Sequence, residues 1–115
     1  MLYFYNMLDD QKHDAIFKAL GDARRRRILD MLKDGPATTG ALCDAFKPLN
    51  RCTVMQHLKV LERAGLIIVK RSGRQRWNHF NALPIKDVHD RWISPYARQA
   101  VDLLAAVKAA AEDEN

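Results

Sequence analysis

An abrupt change from a helical to a strand pattern constrains the fold of this 115-residue chain more than any other feature. Residues 50–65, NRCTVMQHLKVLERAG, place apolar residues at the three- and four-residue spacing of an amphipathic helix. Residues 66–81, LIIVKRSGRQRWNHFN, are β-branched at first and then alternate after a glycine turn, as in a β-hairpin. The sequence therefore predicts a helix that leads directly into a hairpin with a basic tip.

Helix geometry decides whether Cys52 and His57 can form a metal or thiol site. At about 100° per residue the two side chains point roughly 140° apart, so they cannot be ligands of one metal within this helix. Val54, Leu58 and Leu61 fall on one side and are expected to face the core. His57 falls beside this buried stripe, whereas Cys52 falls on the opposite, exposed side.

The exposed side of the same helix has the composition of a DNA-reading surface. Arg51 and Gln56 can form paired hydrogen bonds to purine edges, and Met55 can contact a thymine methyl group. Lys59 and Arg63 can neutralise phosphates. The basic hairpin tip, residues 70–76, suits a wing that lies along the backbone or enters a minor groove.

Charge is distributed unevenly along the chain. Residues 21–81 carry 13 Lys and Arg against 5 Asp and Glu, whereas both flanking segments are mildly acidic. A basic centre between acidic ends indicates a surface for a polyanion, with a separate role for the ends. A solvated charged face would by itself explain this excess of Lys and Arg. The predicted helix and hairpin favour DNA binding instead.

Caps and glycine breaks predict three more helices before residue 50. Asp9 or Asp10 can cap the first helix, which ends at Gly21; Asp22 and Thr38 can cap the second and third. The predicted apolar stripes are Ile16, Phe17 and Leu20, then Ile28, Leu29 and Leu32, then Ala41, Leu42 and Ala45 or Phe46. The short third helix and the helix at 50–64 have the arrangement of a helix-turn-helix.

A last helical region begins at Pro84, and Ser94-Pro95 resembles a fresh cap that would kink or split it. Beyond it an apolar stripe has no obvious partner within so small a domain; it contains Val101, Leu104 and Val107. The predicted fold is one domain over 1–115, mostly α with a small β-hairpin: a winged helix-turn-helix in the order α-α-α-α-β-β-α.

Several classes of protein are excluded or disfavoured. No stretch has the apolar length of a membrane span, and the start has no basic leader, so a cytoplasmic protein with reduced cysteines is expected. Paired carboxylates, a nucleophile elbow and a phosphate-binding glycine loop are absent from the sequence, so an enzyme is not expected, and no cofactor is predicted.

The segments FKALGDARRRRILDMLKDGPATTGALCDAF and TVMQHLKVLERAGLIIVKRSGRQRWNHFN resemble the ArsR-type winged-helix transcriptional repressors over roughly residues 15–82. The resemblance implies a homodimer, joined through residues 1–20 and 84–113, that binds a near-palindromic operator on double-stranded DNA. It further implies that residues 50–59 form the recognition helix, with His57 and Leu58 as framework residues, and that residues 71–76 form the wing.

These two lines of argument give a set of expected DNA contacts and a set of expected interface residues. The DNA contacts are Asn50, Arg51, Cys52, Thr53, Met55, Gln56, Lys59, Arg63, Arg71, Arg74 and Arg76. The dimer interface residues are Ile16, Phe17, Trp92, Val101, Leu104 and Val107. For Arg25 to Arg27, which match the basic start of the family's second helix, packing and phosphate contact both stay open.

The metal motifs of the family are incomplete here. The third helix offers Cys43 alone where metal-sensing members carry a pair, and Asp87 and His89 match only half of the motif in the last helix. A divalent ion needs about four ligands, so no metal site is predicted. A thiol- or metal-responsive repressor that uses Cys52 or Asp87 and His89 is the alternative, and a winged-helix protein-interaction module without DNA binding is the third. The inducer is unknown.

Overall fold

The computed structural model describes residues 2–113, with side chains from residue 7 onward, so Met1 of the predicted interface segment lies outside it. The order of elements is close to the prediction. The helices are α1 (Leu2–Leu20), α2 (Ala23–Leu32), α3 (Thr39–Ala45), α4 (Arg51–Arg63), α5 (Leu83–Val88) and α6 (Ser94–Asp113). The strands are β1 (Ala37–Thr38), β2 (Ile67–Ser72) and β3 (Gln75–Phe80).

The chain divides into two compact units, one ending at Ile85 and the other beginning at Lys86. The first unit contains α1 to α4, the sheet and one apolar core. Helices α2 and α4 contribute to that core through residues of their predicted stripes, whereas α1 contributes Ala19, which its predicted stripe did not include. The core consists of Ala19, Ile28, Leu29, Leu32, Leu42, Val54, Leu58, Leu61, Leu66 and Ile67.

Three helices begin at the capping residues that the sequence predicts. Asp22 accepts a hydrogen bond from the backbone N–H of Arg24 at 2.8 Å, and Thr38 accepts one from that of Ala41 at 3.1 Å. Asn50 caps α4 in the same way. Each cap satisfies an amide that the first helical turn cannot pair, and this fixes where the helix begins.

The expected start of α1 is wrong. The helix begins at Leu2, so Asp9 and Asp10 lie inside it rather than at its cap. Residues 2–20 contain neither Gly nor Pro, and an aspartate in a helix interior costs only about 0.7 kcal/mol relative to alanine. Nothing in the sequence therefore stops the helix from extending toward the N-terminus.

The inward face of α3 is also partly wrong. Leu42 is buried and Phe46 packs against the core as expected, but Ala41 and Ala45 are exposed. Leu42 and Phe46 are four residues apart and set the inward direction, which Thr39 shares because it precedes Leu42 by three. The alanines lie about 60° to 140° around the helix from Leu42 and Phe46, and they face solvent.

The predicted hairpin forms, with Ser72 opposite Gln75 and a two-residue turn at Gly73 and Arg74. Gly73 has φ +62°, a value that L-residues rarely adopt and that such tight turns require. A third strand was not predicted: β1 pairs antiparallel with β3, so the sheet order is β1-β3-β2. A two-residue strand is too short to show an alternating pattern in the sequence.

Gly65 joins α4 to the hairpin. Its φ is +75°, its N–H donates to Glu62 O at 2.9 Å, and the N–H of Leu66 donates to Leu61 O at 3.0 Å. These two bonds form a Schellman motif, in which Leu61 and Leu66 also meet as buried residues. The hairpin therefore leaves α4 in a fixed direction.

The C-terminal unit is a continuous helical segment rather than a split one. A π-helical turn, residues 89–93, separates α5 from α6, and Ser94 is itself helical instead of a fresh cap. Pro95 has no N–H and its ring crowds the preceding turn, which a wider turn accommodates. All residues from 89 to 113 are exposed. No helix within residues 2–113 is long and apolar enough to span a membrane.

Candidate nucleic-acid interface

The start of α4 is held by Asn50 and Thr53. Asn50 Oδ1 accepts from the backbone N–H of Thr53 at 2.8 Å and from Thr53 Oγ1 at 3.0 Å. Both side chains are thus engaged with each other before any ligand arrives. These bonds fix the first turn of α4, which is the part of a recognition helix that contacts bases in helix-turn-helix proteins.

The remaining predicted contacts on α4 share one face. Arg51, Cys52, Gln56, Lys59 and Arg63 are exposed, and Met55 is half-buried beside them. Among residues 7–113 the three cations have no ion-pair partner within 4 Å. The opposite stripe of Val54, Leu58 and Leu61 is buried, as helix periodicity predicts.

The wing lies next to this face. Arg71 and Arg74 are exposed, while Arg76 is half-buried and pairs with Glu62 of α4, Nη2 to Oε2, at 3.5 Å. Glu62 and Arg76 line one open surface depression with Lys59 and Arg63. Sequence reasoning missed Glu62 as part of this surface, because the pairing joins residues fourteen positions apart.

Arg25 and Arg26 both bind the end of α1, Arg25 as a largely buried side chain and Arg26 as an exposed one. Arg25 donates through Nε to Ala19 O and through Nη2 to Lys18 O, both at 2.8 Å, and Arg26 Nη1 donates to Leu20 O at 2.6 Å. These are carbonyls of the last helical turn, where cations are favoured, and Lys18 O accepts from the Gly21 amide as well, at 3.2 Å. The side chain of Arg27 is exposed and has no hydrogen-bond partner among residues 7–113.

His57 is a framework residue of α4, as the resemblance implies. It is 7% exposed, and its Nδ1 lies 3.2 Å from Arg25 Nη1. A guanidinium can only donate, so Nδ1 accepts and the neutral ring carries its proton on Nε2. Nε2 is buried without a hydrogen-bond partner in the described part of the chain. Burial lowers the pKa of His57 and Arg24 lowers it further, with Asp22 opposing in part.

Asp22 anchors the same corner of the structure. Its side-chain hydrogen bond with Arg24, and then its bond from the Arg24 amide, hold the pKa of the carboxyl well below its usual range. Asp22 is thus ionised at neutral pH, caps α2 and partly offsets the positive charge that faces His57.

The predicted sensing residues lie in different environments within each of the two units. Cys43 is half-buried against the core and Cys52 is exposed on α4. Asp87 and His89 are exposed, and His89 contacts Asp90, which pairs with Lys86 at 2.8 Å. Within residues 2–113 no group of three or more Cys, His, Asp or Glu side chains could hold a metal ion.

The predicted interface residues differ in how much of their surface is exposed. In the first unit Phe17 is 44% exposed, whereas Ile16 is only 4% exposed because it shares the inward side of α1 with Ala19. Ile16 therefore has little surface left for a partner. In the second unit the other predicted residues, Trp92, Val101, Leu104 and Val107, are all exposed.

Comparison with known proteins agrees with this arrangement. Residues 16–70 match the family described as a helix-turn-helix domain. The chain is 41% identical to the HTH-type transcriptional regulator YuzN of Bacillus subtilis over 70% of this chain and 94% of that protein. It is 33% identical to the transcriptional repressor SdpR of the same organism over 63% of this chain and 79% of that protein.

Solved structures show the same fold. One, a crystal structure of an ArsR family transcriptional regulator, is 30% identical and superposes with a TM-score of 0.70, covering 78% of this chain and 91% of that one. An ArsR-like regulator from Rhodococcus sp. RHA1, 24% identical, has the same TM-score over 90% and 93% of the two chains. The relatives are regulators rather than enzymes, as the sequence predicts. The chain belongs to the ArsR-type family of winged-helix transcriptional regulators.

Proposed function

We propose that the protein is a homodimeric repressor that binds a near-palindromic operator through α4 and the wing. In this proposal the first turns of α4 enter the major groove, where Arg51, Met55 and Gln56 contact base edges. Lys59, Arg63 and the wing arginines contact phosphates on either side.

The observation that carries this proposal is the depression shared by α4 and β3. It combines Lys59 and Arg63 of the helix with Arg76 of the wing strand, and it adjoins the exposed face of α4. A surface that concentrates cations from two elements suits a phosphate backbone better than it suits a protein partner. The capped start of α4 supports it further, because base contacts require a helix that is held in place.

The dimer part of the proposal is supported by the exposed apolar stripe of α6. Leu104 and Val107 are each 57% exposed and Val101 is 66% exposed, so the helix has apolar surface to bury against a second copy. A two-fold dimer would present two copies of α4 to half-sites about 34 Å apart, which explains why a near-palindromic operator is expected.

The repressor part follows SdpR, which is named a transcriptional repressor. A regulator that binds DNA through such a unit can act by occupying a promoter. We therefore expect the operator to overlap the promoter of the gene it controls.

The test is selection of bound duplexes from a random pool with the full-length protein, followed by light scattering of the complex. Enrichment of a near-palindromic sequence bound by a particle with two 13.2 kDa chains supports the proposal. Failure to enrich any sequence favours the protein-interaction alternative. Parallel selections with zinc and with an oxidant test the sensing alternative, which requires that either addition abolish the enrichment.

A further inference from the structure

Arg25 is bonded to two other helices at once. From α2 its guanidinium donates to two carbonyls at the end of α1 and to Nδ1 of His57 on α4. Its side chain is only 14% exposed, whereas Arg24 beside it is 47% exposed. Arg25 is thus a cation enclosed by the protein rather than part of the charged surface.

Losing these bonds together would be costly. A guanidinium on a side chain that is only 14% exposed needs its donors paired, and Ala19 O at the end of α1 needs a donor in turn, whereas Lys18 O also accepts from the Gly21 amide. His57 can accept only through Nδ1 in the tautomer that Arg25 selects, so the ring is held in one orientation. The ring lies between Val54 and Leu61 along α4, on the side away from the proposed base contacts.

We infer that Arg25 is a positioning residue for DNA binding, which fixes α4 relative to the end of α1 through His57. The inference rests on the proposed function, since it assumes that α4 contacts DNA. Base-edge contacts depend on side chains being held to within about 0.5 Å, whereas contacts to phosphates tolerate more movement. Loss of this bond should therefore weaken binding to the preferred sequence more than binding to random DNA.

Arg26 provides a matched control. It is the next residue on the same helix, carries the same charge and also donates to a carbonyl at the end of α1, but it is exposed and has no hydrogen bond to His57. The substitutions Arg25→Met and Arg26→Met therefore remove equal charge, and only the first removes the link to α4.

A second pair of variants tests the acceptor without changing the charge of Arg25. His57→Asn places an acceptor oxygen near the position of Nδ1. His57→Leu introduces an apolar side chain of similar size that has no acceptor. The probes are the duplex that the unmodified protein enriches from a random pool and a random duplex of equal length. Circular dichroism and urea unfolding identify conditions in which every variant tested is folded.

We expect Arg25→Met and His57→Leu each to weaken binding to the enriched duplex about tenfold or more, and Arg26→Met about threefold or less. His57→Asn should retain affinity within about threefold, and Arg25→Met combined with His57→Leu should be no weaker than Arg25→Met alone. On random DNA, Arg25→Met and Arg26→Met should lose equal binding affinity.

Equal losses on the enriched duplex for Arg25→Met and Arg26→Met would overturn the inference, since charge alone would explain them. Equal affinities for His57→Asn and His57→Leu would overturn it as well, and this comparison decides the matter if Arg25→Met does not fold. If the unmodified protein enriches no duplex, the proposed function fails first, and that result is distinct from either of these.

Discussion

Glu62 Oε2 lies 3.5 Å from Arg76 Nη2, so the last turn of the proposed recognition helix is paired with the central strand of the sheet. The two side chains are 48% and 40% exposed, and an ion pair this accessible contributes about 1 kcal/mol or less to stability. Its main effect is electrostatic: one carboxylate lies among Lys59, Arg63 and Arg76, where a phosphate is proposed to bind.

The first prediction concerns this carboxylate. Glu62→Gln should strengthen binding to all duplexes several-fold, because it removes a negative charge and releases Arg76 to contact phosphate. Fluorescence anisotropy across a salt series should show a steeper slope by about one unit, while urea unfolding changes by no more than about 0.5 kcal/mol.

Asp30→Asn is the control for that prediction. Asp30 is also exposed and paired with a lysine, Lys33 at 2.7 Å, but it does not line the depression. If both substitutions strengthen binding equally, net charge explains the gain and the local role of Glu62 is wrong.

The second prediction concerns base reading. Gln56→Ala should cost roughly 1–3 kcal/mol on the enriched duplex and little on random DNA, because the amide is exposed on α4 and suits an adenine edge. Lys59→Ala should weaken both by similar factors. Competition titrations measure, for each variant, the ratio of its affinities for the enriched and the random duplex. An equal loss on both duplexes for Gln56→Ala would make Gln56 a backbone contact.

The third prediction concerns salt. Affinity should fall linearly on a logarithmic plot against salt concentration, because bound cations release condensed counterions from DNA. Arg74→Ala should reduce the slope by about one unit, since Arg74 is exposed at the turn of the wing. A binding constant that does not change with salt would remove the argument from charge.

The fourth prediction concerns the stripe on α6. Leu104→Glu should yield monomers and a weaker operator complex, because a carboxylate cannot be buried in an apolar interface without a partner. Ala109→Glu, on the other side of the same exposed helix, should remain dimeric. Light scattering at micromolar concentration measures both, and a dimeric Leu104→Glu variant would exclude this stripe from the interface.

The fifth prediction concerns pH. The pKa of His57 is lowered on folding, so the unfolded chain binds the proton more readily and stability falls as pH decreases below about 6.5, through the lower folded pKa. The groups that face the ring are Arg24, Arg25 and Asp22, and Asp22 titrates only in a more acidic range. Urea unfolding between pH 5 and 8 should show a smaller decrease for His57→Asn than for the unmodified protein.

The sequence predicts well what short-range chemistry determines. Asp22, Thr38 and Asn50 cap helices because a side chain two or three residues away can satisfy an early amide, and the pattern is visible locally. The buried stripe of α4 follows from periodicity in the same way. The exposed face of α4 therefore also follows, which is why most proposed contacts there were predictable as exposed residues.

Relationships between distant residues were not predictable. Asn78 is 1% exposed and donates to Ala37 O and to Thr39 Oγ1, which explains both the third strand and the inward turn of Thr39. Nothing in the sequence near Asn78 indicates that it pairs with Ala37 and Thr39, and nothing near those two residues indicates Asn78. For Arg25 the sequence leaves packing and phosphate contact both open for the same reason, because its partners lie on α1 and α4.

The sheet order β1-β3-β2 leaves β2 as an edge strand, with one row of backbone groups unpaired among the described residues. An exposed edge that also carries Ile68, 50% exposed, is a template for aggregation unless charged side chains discourage a second strand from pairing. Lys70 and Arg71 lie on this edge. We expect these two cations to discourage such pairing, in addition to the DNA contact proposed for Arg71, so neutralising them should lower solubility before any DNA is added.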